Sequence, residues 1–230
     1  MTGPEPGVVI VTGGASGLGQ EVARAVRDAG GSPVVLDRVR PSIEVDYELV
    51  DLVDTAAAEH AVDRAAARHG RLDAVITAAG IDACGSLDVV PREIWERVIK
   101  VNLLGTAAVL RAALPHLERS RGHVVTVAST LGLRAFADAT AYCASKFGVV
   151  GFTRALAAET AGRIGVTLLI PGGMQTAFFD GRSKQYRPPP DAELNRPEDV
   201  AAAVLFALAQ PSACEVRELV ITPSRESSWP

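Results

Sequence analysis

The chain has 230 residues, which suits one domain with a sizeable buried core. Its hydrophobic fraction of 48% and its aromatic fraction of 5% are ordinary for a globular protein. The net charge is −4 and no cluster of lysine and arginine forms a stripe, so nucleic-acid binding has no electrostatic support. No apolar run reaches the length that spans a bilayer, and residues 1–7 lack the cationic start of a secretory signal. We therefore expect no membrane partner and no export.

Cysteine and histidine show no disulfide or metal-binding pattern. Cys84, Cys143 and Cys214 are odd in number and lack paired spacing, which suits a reducing cytoplasm. The histidines are scattered, and none stands at metal-ligand spacing from a second plausible ligand. We expect a cytoplasmic protein without a metal site.

Short apolar strands alternate with alanine-rich helices along the chain. The predicted strands are residues 8–11, 33–36, 72–77, 123–128, 166–170 and 218–222. The predicted helices are residues 18–29, 55–69, 91–117, 140–162 and 197–209. The strands are continuous apolar runs, which is typical of a parallel sheet buried on both faces. The pattern predicts one α/β domain over residues 1–230, a Rossmann-like, doubly wound parallel sheet with three α/β/α layers.

Residues 176–196 form the one irregular region. They include three consecutive prolines, Pro188 to Pro190, which cannot lie inside a helix or a central strand. Ligands of such sheets bind outside the carboxyl ends of the strands, so a loop following a strand is a natural lid. A plain surface excursion is the alternative interpretation.

A glycine-rich turn follows the first strand and opens the first helix. Its candidate phosphate-binding residues are Gly13, Ser16, Gly17, Leu18 and Gly19. Glycines let the backbone approach a pyrophosphate, and the helix N-terminus offers free N–H groups. Asp37 ends the second strand, where an acid can hold both ribose hydroxyls of an adenosine and would repel a 2′-phosphate. The pattern predicts an NAD(P) site and favours NAD, although Arg38 could offset the repulsion; the alternative is a turn that only packs helix on strand.

Tyr142 and Lys146 lie four residues apart in a predicted helix, so their side chains share one face. An ammonium beside a phenol favours the phenolate and lowers its pKa, which makes the pair a candidate proton donor and acceptor near neutral pH. The alternative is a half-buried aromatic residue beside a solvated lysine.

With these residues in place, the chain resembles the short-chain dehydrogenase/reductase family in its compact single-domain form. The spacing Thr-Gly-x-x-x-Gly-x-Gly from Thr12 to Gly19 matches the family fingerprint, and Ser129 lies thirteen residues before Tyr142, at the family's serine–tyrosine spacing. The resemblance runs from about residue 8 to about residue 222. Further matches, in chain order, are Asp51-Leu52, Ala79-Gly80, Asn102, and the segment Pro171-Gly172-Gly173-Met174-Gln175-Thr176.

The resemblance implies a hydride transfer between a secondary alcohol or ketone and a nicotinamide cofactor. Tyr142 would be the acid/base, and Ser129 would hydrogen-bond the substrate oxygen. Lys146 would lower the tyrosine pKa and hold the nicotinamide ribose, and Asn102 would fix a water that links Lys146 to solvent. The resemblance also implies the cofactor contacts. Asp51 and Leu52 would bracket the adenine, and the loop with Ala79 and Gly80 would contact the cofactor. The nicotinamide end would be held by Pro171, Gly172, Met174 and Thr176. Each residue also has an ordinary structural interpretation, such as a helix asparagine or a capping serine.

Two departures from the family pattern stand out. The Asn-Asn-Ala-Gly motif reads Thr77-Ala78-Ala79-Gly80, which removes a structural support between strands. The chain also ends Ser227-Ser228-Trp229-Pro230, unlike the usual family tail. The C-terminal subunit contact of the family therefore does not carry over in detail.

The substrate is not readable from the sequence. An apolar cleft is suggested by Phe178, Phe179, Tyr186, Leu131, Leu133 and Phe136, while Arg182, Lys184 and Arg187 read as a solvated loop more readily than as an anion site. The resemblance implies a homodimer or homotetramer, and NAD preference leans toward oxidation. A non-catalytic dinucleotide sensor or scaffold on the same fold is the alternative function.

Overall fold

The computed structural model describes residues 5–211, 213–226 and 228. The predicted absence of a signal at residues 1–7 and the atypical ending Ser227–Pro230 therefore lie partly outside the described residues. Seven parallel strands form one sheet in the order β3-β2-β1-β4-β5-β6-β7. The strands are β1 Val8–Thr12, β2 Ser32–Asp37, β3 Asp46–Leu49, β4 Ala74–Thr77, β5 His123–Val127, β6 Gly165–Pro171 and β7 Glu218–Ile221.

Helices cover both faces of the sheet. They are α1 Gly17–Asp28, α2 Thr55–His69, α3 Arg92–Ile99, α4 Thr106–Ser120, α5 Thr140–Glu159 and α6 Pro197–Leu208. Buried residues of α1 and α6 pack on one face of the sheet, and those of α2, α4 and α5 pack on the other. The predicted three-layer, doubly wound fold is confirmed.

The edge strand β3 was missed by the sequence pattern. Its residues Asp46-Tyr47-Glu48-Leu49 are not an apolar run, because an edge strand pairs on one side only. Glu48 is nevertheless buried, and its carboxylate is paired with both Arg64 and Arg68. A charged residue can be buried in a strand when two guanidinium groups neutralise and hydrogen-bond it.

One long helix runs from Arg92 to Ser120, because a π-helical segment, Lys100–Gly105, joins α3 to α4. By length and hydropathy alone this helix could cross a bilayer, so the expectation that no segment reaches that length is wrong. Half of its most apolar window is buried inside the fold, as in a core helix. The π-helical segment carries Asn102, and such segments often occur at functional sites.

Candidate active site

A large cleft lies at the carboxyl ends of the strands, where β1 and β4 adjoin and the chain order of the sheet reverses. Its volume is about 1350 Å³. Loops that follow β1, β2, β4, β5 and β6 line it. The predicted cofactor and catalytic residues come from these loops, from the turn after β3, from the π-helical segment and from α5, so the fold gathers them near one edge of the sheet.

The glycine turn fits a phosphate group. Gly13 has φ 69°, and a side chain there would lie 2.7 Å from the Ala79 Cα. Gly19 leaves no room either, because its Cβ would lie 2.3 Å from the Gly13 carbonyl oxygen. Ser16 precedes α1 but makes no side-chain capping bond, and the first turn of the helix carries no acidic residue. The helix N-terminus thus keeps donors for an anion, as the sequence predicts.

Asp37 stands at the end of β2 and lines the cleft beside this turn. Its Oδ2 accepts a hydrogen bond from Ala15 N at 3.0 Å, and its Oδ1 accepts one from Val39 N at 3.2 Å. The carboxylate is held in place by backbone groups on both sides. Arg38 lines the same part of the cleft.

The Asp51-Leu52 pair also lines this end of the cleft. Asp51 Oδ2 accepts a 2.7 Å hydrogen bond from Arg97, and its Oδ1 accepts one from Val53 N at 3.1 Å. Burial alone would raise the pKa of the Asp51 carboxyl, but these hydrogen bonds outweigh it and hold that pKa below its usual value. Arg97 was missed by the sequence analysis, since its position on α3 shows no contact until the chain is folded.

The loop after β4 is tied to β1 without the family's asparagines. Ala79 N donates to Thr12 Oγ1 at 3.1 Å, which links the two strand ends. Thr77 occupies the place of the first asparagine, and its buried Oγ1 has no hydrogen-bond partner among the residues described. The predicted loss of structural support is therefore partial, because Thr12 supplies one tie.

Asn102 is almost completely buried and uses its whole side chain within the protein. Its Oδ1 accepts from Ile81 N, and its Nδ2 donates to Ile81 O and to Ser145 Oγ, each at 2.9 Å. These bonds fix the loop that carries Gly80, where a side chain would lie 3.5 Å from Lys146 Nζ and 3.7 Å from Asn102 Oδ1. Asn102 thus holds the cleft floor beside Lys146, and its role toward a water stays a prediction.

Ser129 and Tyr142 both line the cleft. Ser129 lies two residues after β5, and its Oγ accepts a hydrogen bond from Leu131 N at 3.1 Å. The Ser129 hydroxyl interacts with the Tyr142 phenol and lowers its pKa. The Tyr142 ring packs against Phe178 with 5.6 Å between ring centroids. The predicted serine–tyrosine pair is brought together at the surface of the cleft.

Lys146 lies one turn along α5 from Tyr142, as the spacing predicts, and is 4% exposed. Its Nζ donates to the Val127 carbonyl at 2.8 Å and lies 5.6 Å from the centre of the Tyr142 ring. Burial lowers the pKa of Lys146 to about 8.

The expected lowering of the tyrosine pKa is wrong for the protein alone. Burial raises the pKa of Tyr142, the interaction with the Ser129 hydroxyl opposes that rise, and the nearby Asp82 carboxylate adds to it. Desolvation of the phenolate is the largest of these effects, and the Lys146 amine is itself buried and bonded to a carbonyl.

The segment after β6 is close to the glycine turn. A side chain at Gly17 would contact Thr176 Cγ2 at 3.4 Å, and Pro171, Gly172, Met174 and Thr176 all line the cleft. The turn and the segment therefore face each other, as a dinucleotide running between them would require.

Residues 176–196 border the cleft rather than leaving it, which fits the lid interpretation. The segment is tied at its base, since Gln175 N donates to Asn195 O and Asn195 N donates to Gly173 O. Farther out, Tyr186 Oη donates to Asp138 Oδ2 at 3.0 Å. Leu131 and Phe136 also line the cleft, whereas Leu133 packs into a neighbouring core cluster.

Arg182 is not a solvated loop residue, so that part of the sequence interpretation is wrong. Its guanidinium carbon lies 4.7 Å from the centre of the Phe178 ring and 4.6 Å from that of Phe179. Its Nη2 lies 2.9 Å from Asp82 Oδ2, and both side chains are largely buried. Aromatic stacking together with an ion pair explains how a loop arginine becomes buried beside Tyr142.

The fold and this cleft define a class of protein: a Rossmann-fold oxidoreductase with a dinucleotide turn at one end and a Ser–Tyr–Lys cluster at the other. The family profile described as short chain dehydrogenase matches residues 7–187, and the chain belongs to that family.

Individual relatives agree with this assignment. An uncharacterized oxidoreductase of Staphylococcus aureus (strain MW2) is 31% identical over 228 residues, covering 94% of this chain and 96% of the relative. L-fucose dehydrogenase of Mus musculus is 29% identical over 243 residues, covering 96% and 89%.

Solved structures show the same fold. Ligand-free aldohexose dehydrogenase of Thermoplasma acidophilum has a TM-score of 0.86 at 25% identity, covering 95% of this chain and 93% of that one. Alcohol dehydrogenase from Thermococcus sibiricus, complexed with 5-hydroxy-NADP, has a TM-score of 0.84 at 25% identity, covering 93% and 95%.

Proposed function

We propose that the protein is an NAD(P)-dependent oxidoreductase that interconverts a secondary alcohol and a ketone by hydride transfer. The observation that carries the proposal is the Tyr142 side chain, which lines the cleft beside Ser129 and has the Nζ of the buried Lys146 5.6 Å from its ring centre. The glycine turn of the same cleft suits the cofactor's pyrophosphate. A nicotinamide bound beside Tyr142, at the other end of the cleft, would accept or donate the hydride.

Tyr142 moves the proton that accompanies the hydride. Because burial raises its pKa, the free protein holds the phenol protonated, ready to act as the acid in ketone reduction. Ser129 donates a hydrogen bond to the substrate oxygen and so stabilises the negative charge that develops there. Lys146, with its pKa of about 8, carries a proton at neutral pH and holds the nicotinamide ribose.

The test replaces Tyr142 with phenylalanine, which removes the hydroxyl and keeps the ring against Phe178. Turnover is assayed with NAD and NADP on secondary alcohols and aldoses, because relatives are named for L-fucose and aldohexose. We expect kcat to fall at least about a hundredfold, the usual contribution of a general acid/base. Tyr47→Phe, a change on the edge strand β3, serves as the matched control.

Two outcomes separate this function from its alternative. Unchanged turnover in Tyr142→Phe contradicts the mechanism. A wild-type protein that binds the cofactor but turns over no member of the panel favours a dinucleotide sensor.

We propose NAD as the preferred cofactor. The Asp37 carboxylate, fixed by Ala15 N and Val39 N, would bind ribose hydroxyls and repel a 2′-phosphate. Relatives differ here, since the Thermococcus sibiricus structure contains an NADP derivative. Asp37→Asn keeps the shape and removes the charge, so the ratio of kcat/KM for NAD over NADP should fall by about tenfold. An unchanged ratio contradicts the role of the carboxylate.

We also propose a cytoplasmic homodimer or homotetramer. Leu104 and Phe147 are 47% and 45% exposed on the long helix and on α5, where a second copy would cover them. Cys84, Cys143 and Cys214 are free thiols, which suits a reducing compartment. A monomeric mass in light scattering contradicts the oligomer.

A further inference from the structure

The chain after β7 returns over the cleft. Arg225, Glu226 and Ser228 line it, although the family profile ends at residue 187. In the sequence, this region stands out only as a departure from the usual family tail. Its contacts give it a definite place beside the segment that follows β6.

Glu226 bonds to that segment directly. Its Oε2 accepts a hydrogen bond from Gly173 N at 2.9 Å. The same oxygen would lie 2.4 Å from a Cβ at Gly172, so the carboxylate packs against bare backbone at two consecutive residues. Burial alone would raise the pKa of Glu226, but hydrogen bonds to Ser228 and Gly173 outweigh it and hold that pKa below its usual value.

The other carboxylate oxygen continues the connection. Glu226 Oε1 accepts from Ser228 N at 3.1 Å and from Ser228 Oγ at 2.6 Å. Ser228 Oγ also lies 2.6 Å from Thr130 Oγ1, and both of these residues are buried. Thr130 directly follows Ser129. A chain of hydrogen bonds thus joins the Gly172-Gly173 backbone to the turn that carries the serine of the cleft.

We propose that Glu226 is a positioning residue that holds the Gly172-Gly173 backbone in place for the nicotinamide half of the cofactor. The proposal rests on the proposed NAD(P) site. A carboxylate suits this role because it only accepts hydrogen bonds, and each of its oxygens faces donors on a different segment. Glutamine has the same shape but turns an NH₂ group either toward Gly173 N or toward the Ser228 donors, so Glu226→Gln breaks one side of the connection.

The experiment measures dissociation constants of NADH and of ADP-ribose, which has the adenosine and pyrophosphate of NADH but lacks nicotinamide. In Glu226→Gln we expect NADH to bind about tenfold more weakly, which is the loss of about one charge-assisted hydrogen bond, and ADP-ribose to change less than about twofold. Ser228→Ala should shift NADH in the same direction by a smaller factor and serves as the second variant if Glu226→Gln does not fold. Glu198→Gln makes the same chemical change at an exposed position of α6 and should alter the dissociation constant of neither NADH nor ADP-ribose.

The outcomes separate this proposal from the one it rests on. If the wild type binds neither NADH nor NADPH, both proposals fail. If the wild type binds NADH and both variants bind it equally well, the role of Glu226 is overturned while the proposed function stands. If both ligands weaken in parallel with a lowered Tm, Glu226 only stabilises the fold, and the proposal is also overturned.

Discussion

Lys146 offers a direct test of the electrostatics in the cleft, because its amine is buried and hydrogen-bonded to a neutral carbonyl. Burial lowers its pKa from 10.5 to about 8. A tenfold change in an equilibrium corresponds to about 1.4 kcal/mol, so the folded state disfavours the charged amine by about 3 kcal/mol. We predict that Lys146→Met removes this cost and abolishes the activity proposed above.

The sign of the pH dependence follows from the two pKa values. At pH 7 the amine is charged in the folded and the unfolded chain, so the folded state bears the whole cost. Between pH of about 8 and 10.5 the folded protein binds fewer protons than the unfolded chain, and stability therefore rises with pH. Methionine does not titrate, so Lys146→Met lacks this rise in the free energy of unfolding over the interval.

Urea unfolding of wild type and Lys146→Met, at one protein concentration between pH 7 and 10.5, measures the effect. The excess free energy of unfolding of the variant over the wild type should shrink by about 3 kcal/mol across the interval. Lys184→Met removes an amine from an exposed loop position and measures the background slope of the method. A difference that stays constant with pH refutes the burial of a charged amine at this position.

Three further predictions concern the turn, the loop and the floor of the cleft. Gly19→Ala places a methyl group 2.3 Å from a backbone oxygen, so it should lower the free energy of unfolding by about 1–3 kcal/mol and weaken cofactor binding. The control Gly151→Ala, in open space on α5, should not destabilise the protein; urea unfolding measures stability and NADH titration measures affinity. Arg182→Gln leaves the buried Asp82 carboxylate unpaired and should lower kcat/KM by about tenfold, while the exposed Lys184→Gln should not. If the two variants have equal kcat/KM in steady-state assays, the ion pair has no such role. Asn102→Ala leaves a buried N–H and a carbonyl without their partner and should lower the free energy of unfolding by about 2–4 kcal/mol in urea; a loss below about 1 kcal/mol contradicts its support of the cleft floor.

Local patterns predicted most of the fold. Continuous apolar runs mark the central strands, since these are covered on both faces, and the glycine turn marks the crossing from β1 into α1. The missed strand β3 has an edge position, and its buried Glu48 depends on arginines 16 and 20 residues away along the chain. No local pattern can reveal such a pairing.

The same division applies to the candidate site. Gly13, Ser129, Tyr142 and Lys146 could be named from the sequence because chemistry constrains their type and spacing. Arg182 was misread, since its burial depends on two phenylalanine rings and on a carboxylate that the loop meets only after folding.

The family, the layered parallel fold and the residues that meet at the carboxyl edge can all be identified from the sequence, because each leaves a short-range signature in residue type and spacing. The tertiary structure alone decided the ionisation of Tyr142 and Lys146 and the contacts of Glu226. A pKa depends on burial and on every nearby charge, and the Glu226 contact joins a side-chain carboxylate to a backbone N–H 53 residues away along the chain. Such properties arise from three-dimensional proximity, which spacing along the chain does not encode.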